Sequence, residues 1–154
     1  MEYLVRMIAN QVWSELGPGF SERVYHNAFE VALRLNTINY ETERIIPIFF
    51  QGHNVGNVRA DLILNNSTIV ELKSIARLKD ENRIQIQNYM KLTGVAHGML
   101  VNFPSTQGNV EVETFFSQNS NESGGSTVPH SPDSGSIDWN LDVVPSADQA
   151  DTGA

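Results

Sequence analysis

The fold of this chain is decided by two short runs, Arg59-Ala60-Asp61-Leu62-Ile63-Leu64 and Ile69-Val70-Glu71-Leu72-Lys73. Both runs are rich in aliphatic residues, and the turn-forming residues between them predict an antiparallel hairpin. A three-residue loop over 65–67 places position 64 opposite 68, and pairing then continues through 62/70, 61/71, 60/72 and 59/73. Asn tolerates the left-handed backbone that such a loop needs.

This register sorts the side chains of the hairpin into an apolar face and a charged face. The apolar face is predicted to carry Ala60, Leu62, Leu64, Val70 and Leu72. The charged face places Asp61 directly opposite Glu71 and Arg59 opposite Lys73. A two-residue loop would separate the two carboxylates onto opposite faces and bury one of them in the core, which is costly.

The two facing carboxylates indicate a chemistry. Like charges directly across a strand pair repel each other unless a cation lies between them, and Mg²⁺ is typically bound by one or two carboxylates together with phosphate oxygens. Lys73 shares a face with Glu71, so its ammonium can orient or help deprotonate a water and stabilise charge on a phosphate. The hairpin indicates metal-assisted phosphodiester hydrolysis. The alternative is a solvated sheet face on which Asp61 pairs with Arg59 or Lys73.

The patterns outside the hairpin predict the element order α-α-β-β-β-α-β-β. The first helix, over 2–16, has apolar positions Leu4, Val5, Ile8, Val12 and Leu16. The second helix, which Ser21 can cap, has the expected buried stripe Val24, Ala28, Val31 and Leu35. Strands are predicted over 40–50, 55–64, 67–74, 96–103 and 110–116, and a third helix over 81–93. The expected architecture is α/β, with a mixed β-sheet flanked by helices.

Charge divides the 154 residues into two parts. Residues 1–117 hold twelve acidic and ten basic residues, whereas residues 118–154 hold six acidic residues and no basic ones. The second part is also rich in Ser, Gly, Asn and Pro. We therefore predict one domain over 1–117 and a disordered acidic tail over 118–154. The apolar residues around Trp139 are either stray residues of a solubilising tail or a segment that orders on a partner.

Several classes of protein are excluded or disfavoured by composition. The chain has no cysteine, which excludes disulfides, thiol nucleophiles, zinc ribbons and iron–sulfur clusters. No apolar run reaches the length of a membrane span, and the first residues lack the layout of a signal peptide. We expect a soluble, intracellular protein of the cytoplasm or nucleus, with no membrane partner. The four histidines show no metal-ligand spacing and are expected at surface or turn positions: His26, His53, His97 and His130.

Four features now fall in one order along the predicted domain. They are Gly19-Phe20-Ser21-Glu22-Arg23-Val24-Tyr25, Arg59-Ala60-Asp61-Leu62, Val70-Glu71-Leu72-Lys73 and Gln85-Ile86-Gln87-Asn88-Tyr89-Met90-Lys91-Leu92-Thr93-Gly94. Over roughly residues 3–116, this series resembles the GxxExxY family of the PD-(D/E)XK nuclease superfamily. The resemblance implies a restriction-endonuclease-like core of mixed sheet flanked by helices, a divalent-metal site and hydrolysis of nucleic acid.

The resemblance also assigns roles to individual residues. Asp61 and Glu71 match the metal-binding acids, and Lys73 matches the catalytic lysine. Glu22 matches the acid on the first core helix, which often completes the metal site in such folds.

The resemblance also assigns roles to two residues of the third helix. Gln85 and Tyr89 match a Q-x-x-x-Y motif and, being four residues apart, share a helix face. Gln85 can hydrogen-bond a water or a phosphate, and Tyr89 can stack or donate its hydroxyl. The chain departs from the family at His26-Asn27, where acidic residues are common, and at Asn82-Arg83, where a His-Glu pair is common. These departures bear on substrate preference and on auxiliary proton transfer.

The sequence therefore predicts a Mg²⁺- or Mn²⁺-dependent nuclease acting on DNA. The predicted catalytic set is Lys73, Asp61, Glu71, Gln85 and Tyr89, and the predicted metal ligands are Glu22, Asp61 and Glu71. The alternative is a non-catalytic interaction or assembly module that docks a partner through the acidic tail. Because the predicted domain lacks a basic face, binding to nucleic acid is expected to be weak and salt-sensitive. So small a nuclease core would need a homodimer or a protein partner to select its target.

Overall fold

The structure is a computed structural model that describes residues 1–117. Its elements follow the predicted order: α1 (Glu2–Leu16), α2 (Glu22–Leu35), β1 (Tyr40–Phe50), β2 (His53–Leu64), β3 (Thr68–Lys73), α3 (Asp80–Thr93), β4 (His97–Asn102) and β5 (Glu111–Phe116). The predicted acidic tail, with its Trp139 segment and His130, lies outside the described residues.

The five strands form one mixed sheet in the order β1-β2-β3-β4-β5. Only β3 and β4 are parallel, and α3 connects them, as a parallel crossover requires. The other neighbours are antiparallel. One apolar cluster joins α1 and α2 to one face of the sheet, and a second cluster joins α3 to the other face. The predicted α/β fold is confirmed.

The predicted buried face agrees with the structure for α1 but not for α2. In α1 the predicted Val5, Ile8 and Val12 are buried. In α2 the predicted stripe is wrong by one position, since Val24, Val31 and Leu35 are exposed. The residues that α2 buries are Tyr25, Phe29, Ala32 and Leu33. Tyr25 and Phe29 carry the largest apolar surfaces of the helix, and burying them gains more free energy than burying the valines.

The predicted loop between β2 and β3 is confirmed. Leu64 pairs with Thr68 across a three-residue loop, in which Asn65 and Asn66 have φ angles of 48° and 53°. The predicted ladder, however, is too long. It contains only the pairs 62/70, 63/69 and 64/68, so the predicted pairs 61/71, 60/72 and 59/73 do not form. From Asp61 towards its N-terminus, β2 pairs with β1 alone.

The predicted apolar face changes at the same point. Leu62 and Leu64 pack towards α1 and α2, as Tyr40 of β1 does, but Ala60 and Ile46 pack on the α3 side. Glu43 lies between these two parts of β1 and has a φ angle of +52°. Its left-handed backbone interrupts the alternation of side chains. The prediction that Ala60 shares a face with Leu62 is therefore wrong.

The described residues contain no helix that is both long enough and apolar enough to cross a membrane.

Candidate active site

Asp61 lies where β2 and β3 separate. Its Oδ2 accepts a hydrogen bond of 2.9 Å from the backbone N–H of Leu72. The carboxylate thereby satisfies a strand N–H that no β2 carbonyl reaches, which is how the sheet tolerates the gap. Asp61 also lines a cleft together with residues of α2 and β1.

Glu71 is the most deeply buried acid of the site, with 1% of its surface exposed. Its Oε1 accepts hydrogen bonds of 2.7 Å from Lys73 Nζ and of 2.7 Å from Gln85 Nε2. Its Oε2 is buried and has no hydrogen-bond partner. A buried carboxylate oxygen without a partner is costly, so this atom is a vacant acceptor in the site.

The ionisation of these groups is perturbed in a way that active sites often show. Burial, reinforced by the charge of Asp61, raises the pKa of Glu71 to about 7. Burial also acts to lower the pKa of Lys73, but the carboxylates of Glu71, Glu22 and Asp61 outweigh it and raise that pKa. Lys73 therefore carries a positive charge at neutral pH in the metal-free protein.

The third helix contributes Gln85 and Tyr89, which the sequence predicted to share a face. Gln85 Nε2 donates a second hydrogen bond, of 2.7 Å, to the hydroxyl oxygen of Tyr89. Burial is the largest cause that raises the pKa of Tyr89, whose hydroxyl therefore stays protonated and able to donate. The contacts join Lys73, Glu71, Gln85 and Tyr89 in one hydrogen-bonded chain.

Two residues, Gly98 and Asn102, fix the positions of the helix and the strands that carry these four hydrogen-bonded side chains. A Cβ added to Gly98 of β4 would come within 2.5 Å of Met90 Sδ and 3.1 Å of Ile86 on α3, so α3 packs closely on the sheet here. Asn102 is fully buried beside Lys73 in the β3–β4 ladder, where its amide bonds both the N–H and the C=O of Ile75. Asn102 thereby fixes the loop that follows the lysine, and nothing in its local sequence pattern marked it.

Glu22 lies in the first turn of α2 and faces the cleft that Asp61 also lines. The cleft has a volume of about 250 Å³. The turn before the helix is held by Tyr25, whose hydroxyl donates a 2.7 Å hydrogen bond to the carbonyl of Gly17. The ring of Tyr25 is stacked on that of Phe103 with centroids 4.5 Å apart. Tyr25 is therefore structural, and it fixes the position from which Glu22 projects.

His26 is the site residue that the sequence reasoning missed. The prediction of a surface or turn position is wrong for it, because its side chain is only 14% exposed and lies in the cleft of Asp61. Its Nδ1 is 3.2 Å from Glu30 Oε1, and its Nε2 is 3.4 Å from the carbonyl oxygen of Asp61. The available signal was the spacing of Glu22, His26 and Glu30, which are four residues apart along one helix face. His53 and His97 are exposed, as predicted.

Basic residues near the site differ in how strongly they are engaged. Arg83 forms hydrogen bonds of 2.8 Å and 2.7 Å to both carboxylate oxygens of Glu113, and a third of 2.9 Å to Asp80. Arg59 lines the cleft and is 63% exposed, with a looser contact of 3.6 Å to Glu43. Arg59 is thus the better placed of the two to contact a phosphate.

The predicted metal ligands can be tested for their fit to a divalent cation. Within residues 1–117, no group of three or more His, Asp or Glu side chains is arranged to hold a metal ion. The donor chemistry of Asp61 and Glu71 nevertheless fits a hard cation, because both present carboxylate oxygens and Glu71 Oε2 has no other partner. The negative charge of Glu22 acts on both Glu71 and Lys73.

Fold and site together have the features of a nuclease domain, in which acidic residues and a lysine meet where the strands of a mixed sheet separate. Residues 1–115 match the family model of the PD-(D/E)XK nuclease superfamily, and the chain belongs to that superfamily. The superfamily is one of nucleases, and its members generally use divalent metals.

Comparison with solved structures supports the fold. The crystal structure of SSO0001 is similar, with a TM-score of 0.51 and 24% sequence identity over 62% of this chain. The matched part spans half of the SSO0001 chain. None of the curated proteins matches the chain significantly.

Proposed function

We propose that this chain is a divalent-metal-dependent nuclease of the GxxExxY type, which hydrolyses phosphodiester bonds in DNA. The observation that carries the proposal is the environment of Glu71. This carboxylate is buried, has one oxygen without a partner, and lies against Lys73 at the point where β2 and β3 separate. A structural ion pair would have no need for a vacant, buried acceptor.

The proposed ligands are Asp61 and Glu71, with Glu22 approaching from α2. Mg²⁺ or Mn²⁺ bound there would polarise the phosphoryl group and lower the pKa of an attacking water. Leu72 N–H holds the Asp61 carboxylate in orientation, because it occupies Oδ2 and leaves Oδ1 for a ligand.

Lys73 has two proposed tasks. Its ammonium is held by Glu71 at 2.7 Å, which aims the positive charge into the site. There it would orient the attacking water and stabilise the negative charge that grows on the phosphate in the transition state. The amide of Gln85 and the hydroxyl of Tyr89 form the next layer of this chain and would hold Glu71 and the substrate in position.

The test is cleavage by the full chain of a panel of plasmid, linear, single-stranded and branched DNA and of RNA, with Mg²⁺, Mn²⁺ or chelator. Asp61→Asn and Lys73→Ala should each reduce the rate by about 10²-fold or more, because each removes a group that acts on the reacting atoms. Chelator should abolish cleavage. Matched controls are Asp80→Asn and Lys91→Ala, which change the same residue types at exposed positions of α3.

A calorimetric titration with Mn²⁺ tests the site without turnover. The natural protein should bind the ion, and Asp61→Asn should weaken that binding while Asp80→Asn leaves it unchanged. Failure to cut any substrate, together with no detectable Mn²⁺ binding, would overturn the nuclease. It would favour the alternative of a non-catalytic interaction or assembly module on this fold.

A further inference from the structure

The β1–β2 hairpin carries an apolar face that the rest of the described fold does not cover. Along β1, side chains alternate between the α3 side, where Ile46 is buried, and the opposite side. The opposite side presents Ile45, Pro47 and Phe49. The register shift between Ile48 and Phe49 is due to an extra residue of β2, Val55, so the alternation of β1 continues through Phe49. Ile45 is 68% exposed and Phe49 is 60% exposed. We call these three side chains the hairpin face.

The hairpin face is continuous with the candidate active site. Ile45 is the cross-strand partner of Arg59, and cross-strand partners share a face of the sheet. Arg59 lines the same cleft as Asp61, Glu22 and His26. A strand of nucleic acid that leaves this cleft over Arg59 would therefore pass directly onto the hairpin face.

The length of the hairpin suits such a path. Ile45 and Phe49 are four residues apart along β1. At about 3.3 Å per residue this is roughly 13 Å. At a spacing of about 3.4 Å per stacked nucleotide, the hairpin face can accompany about four nucleotides of one strand.

The charge of the domain favours unpaired over paired DNA. A duplex presents phosphates outward, but residues 1–117 have a net charge of −2, and Arg83 is held by Glu113 and Asp80. An unpaired strand also offers the faces of its bases, which bind aromatic and apolar side chains without needing charge. The hairpin face beside the exposed Arg59 matches that chemistry.

We infer that the hairpin face binds unpaired bases of single-stranded DNA, with Arg59 on the phosphate between the bases and the cleft. This inference rests on the proposed nuclease function and narrows its substrate to single-stranded DNA or unpaired segments such as flaps. Phe49 is the stacking residue, and Ile45 extends the apolar surface towards the cleft.

Binding in the absence of cleavage tests this inference separately from the nuclease. The full chain carrying Asp61→Asn is titrated, at fixed salt, with a labelled single-stranded 20-mer and with the corresponding duplex. The single strand should bind more tightly. Adding Phe49→Ala should weaken single-strand binding by about 5- to 100-fold, the usual loss for one stacked base, and leave duplex binding unchanged.

Phe50→Ala is the matched control. Phe50 is the next residue of the same strand, is 65% exposed, and alternates to the other side. It should change neither affinity. Equal losses for the two variants, or a duplex that binds as tightly as the single strand, would overturn the inference even if the protein cleaves DNA.

A second copy of this chain could instead occupy the hairpin face, and sedimentation of the natural protein tests that possibility. A monomer whose state Phe49→Ala leaves unchanged is the expected result. If the natural protein is a dimer that Phe49→Ala dissociates, then the hairpin face is a subunit interface and the inference fails.

Discussion

The surroundings of Glu71 disfavour the charged form of its carboxylate. Burial and the neighbouring Asp61 both disfavour its charged form, and the ion pair with Lys73 does not compensate for them. The pKa of Glu71 is therefore raised to about 7 from an ordinary value of 4.5. A group of this kind trades stability for function.

This environment makes the stability of the metal-free protein depend on pH with a definite sign. A carboxyl whose pKa is raised by folding contributes stability that is present below about pH 4.5 and is lost as the pH rises to about 7. Replacing Glu71 by Gln removes this loss. In chelator at pH 8, Glu71→Gln should be more stable than the natural protein by roughly 1–3 kcal/mol. The gain is at the lower end of this range if loss of the ion pair with Lys73 offsets part of it.

Urea unfolding at pH 5 and pH 8 measures the effect. The difference between variant and natural protein should grow from the lower to the higher pH. Glu81→Gln, the same change at an exposed position of α3, should show little difference at either pH. A Glu71→Gln protein that is less stable than the natural one at pH 8 would contradict this account of the site.

At the scale of elements, sequence periodicity predicted the order and approximate bounds of all eight helices and strands. It did so because local patterns of apolar residues, the Asn-Asn loop and the glycine after α3 are sufficient to delimit them. The three-residue loop between β2 and β3, and the strand pairing next to it, followed from the same reasoning. The candidate site residues Asp61, Glu71 and Lys73 were predicted from their position on this hairpin and from a family resemblance.

Errors arose where tertiary contacts decide between local alternatives. Two stripes one residue apart are available on α2, and the sheet surface selects the one with Tyr25 and Phe29. The alternation of β2 changes between Ala60 and Leu62, beside the left-handed Glu43 of the neighbouring strand, and a period-two pattern contains no such change. His26 joined the site because α2 lies over the cleft, a placement that follows from packing of the helix on the sheet.

The packing of α3 on β4 gives a test at the element scale. Gly98 is the closest point of this contact, and its backbone has no left-handed conformation to account for the glycine. Gly98→Val should destabilise the protein by about 1–3 kcal/mol, because the added methyl groups would overlap Ile86 and Met90 and push α3 from the sheet. Denaturant unfolding measures this change.

Gly56 provides the matched control for that substitution. It also lies within a strand, but a Cβ added there would meet no atom within 4 Å. Gly56→Val should leave stability unchanged or raise it slightly, since β-branched residues suit strands better than glycine does. Equal losses for the two variants would show that strand glycine itself, and not the α3 contact, is responsible.

For the whole molecule, the distribution of charge predicts how binding responds to salt. Each phosphate contacted by a cation adds about 0.7 to the slope of log affinity against log salt for a single strand. The exposed arginines that line the cleft are Arg23 and Arg59, whereas Arg83 is held by acids. Two contacts give a slope magnitude of about 1.4.

Arginine variants in the Asp61→Asn background identify which cations produce that slope. Arg59→Ala should reduce its magnitude by about 0.7, because one phosphate contact is lost. Arg44→Ala should leave it unchanged, since Arg44 pairs with Glu41 and is the cross-strand partner of Ala60, on the α3 side of the hairpin. A slope magnitude above about 4, or an equal effect of the two variants, would mean that DNA follows a different path. In that case the cleft between α2 and the hairpin would not be the route to Asp61 and Glu71.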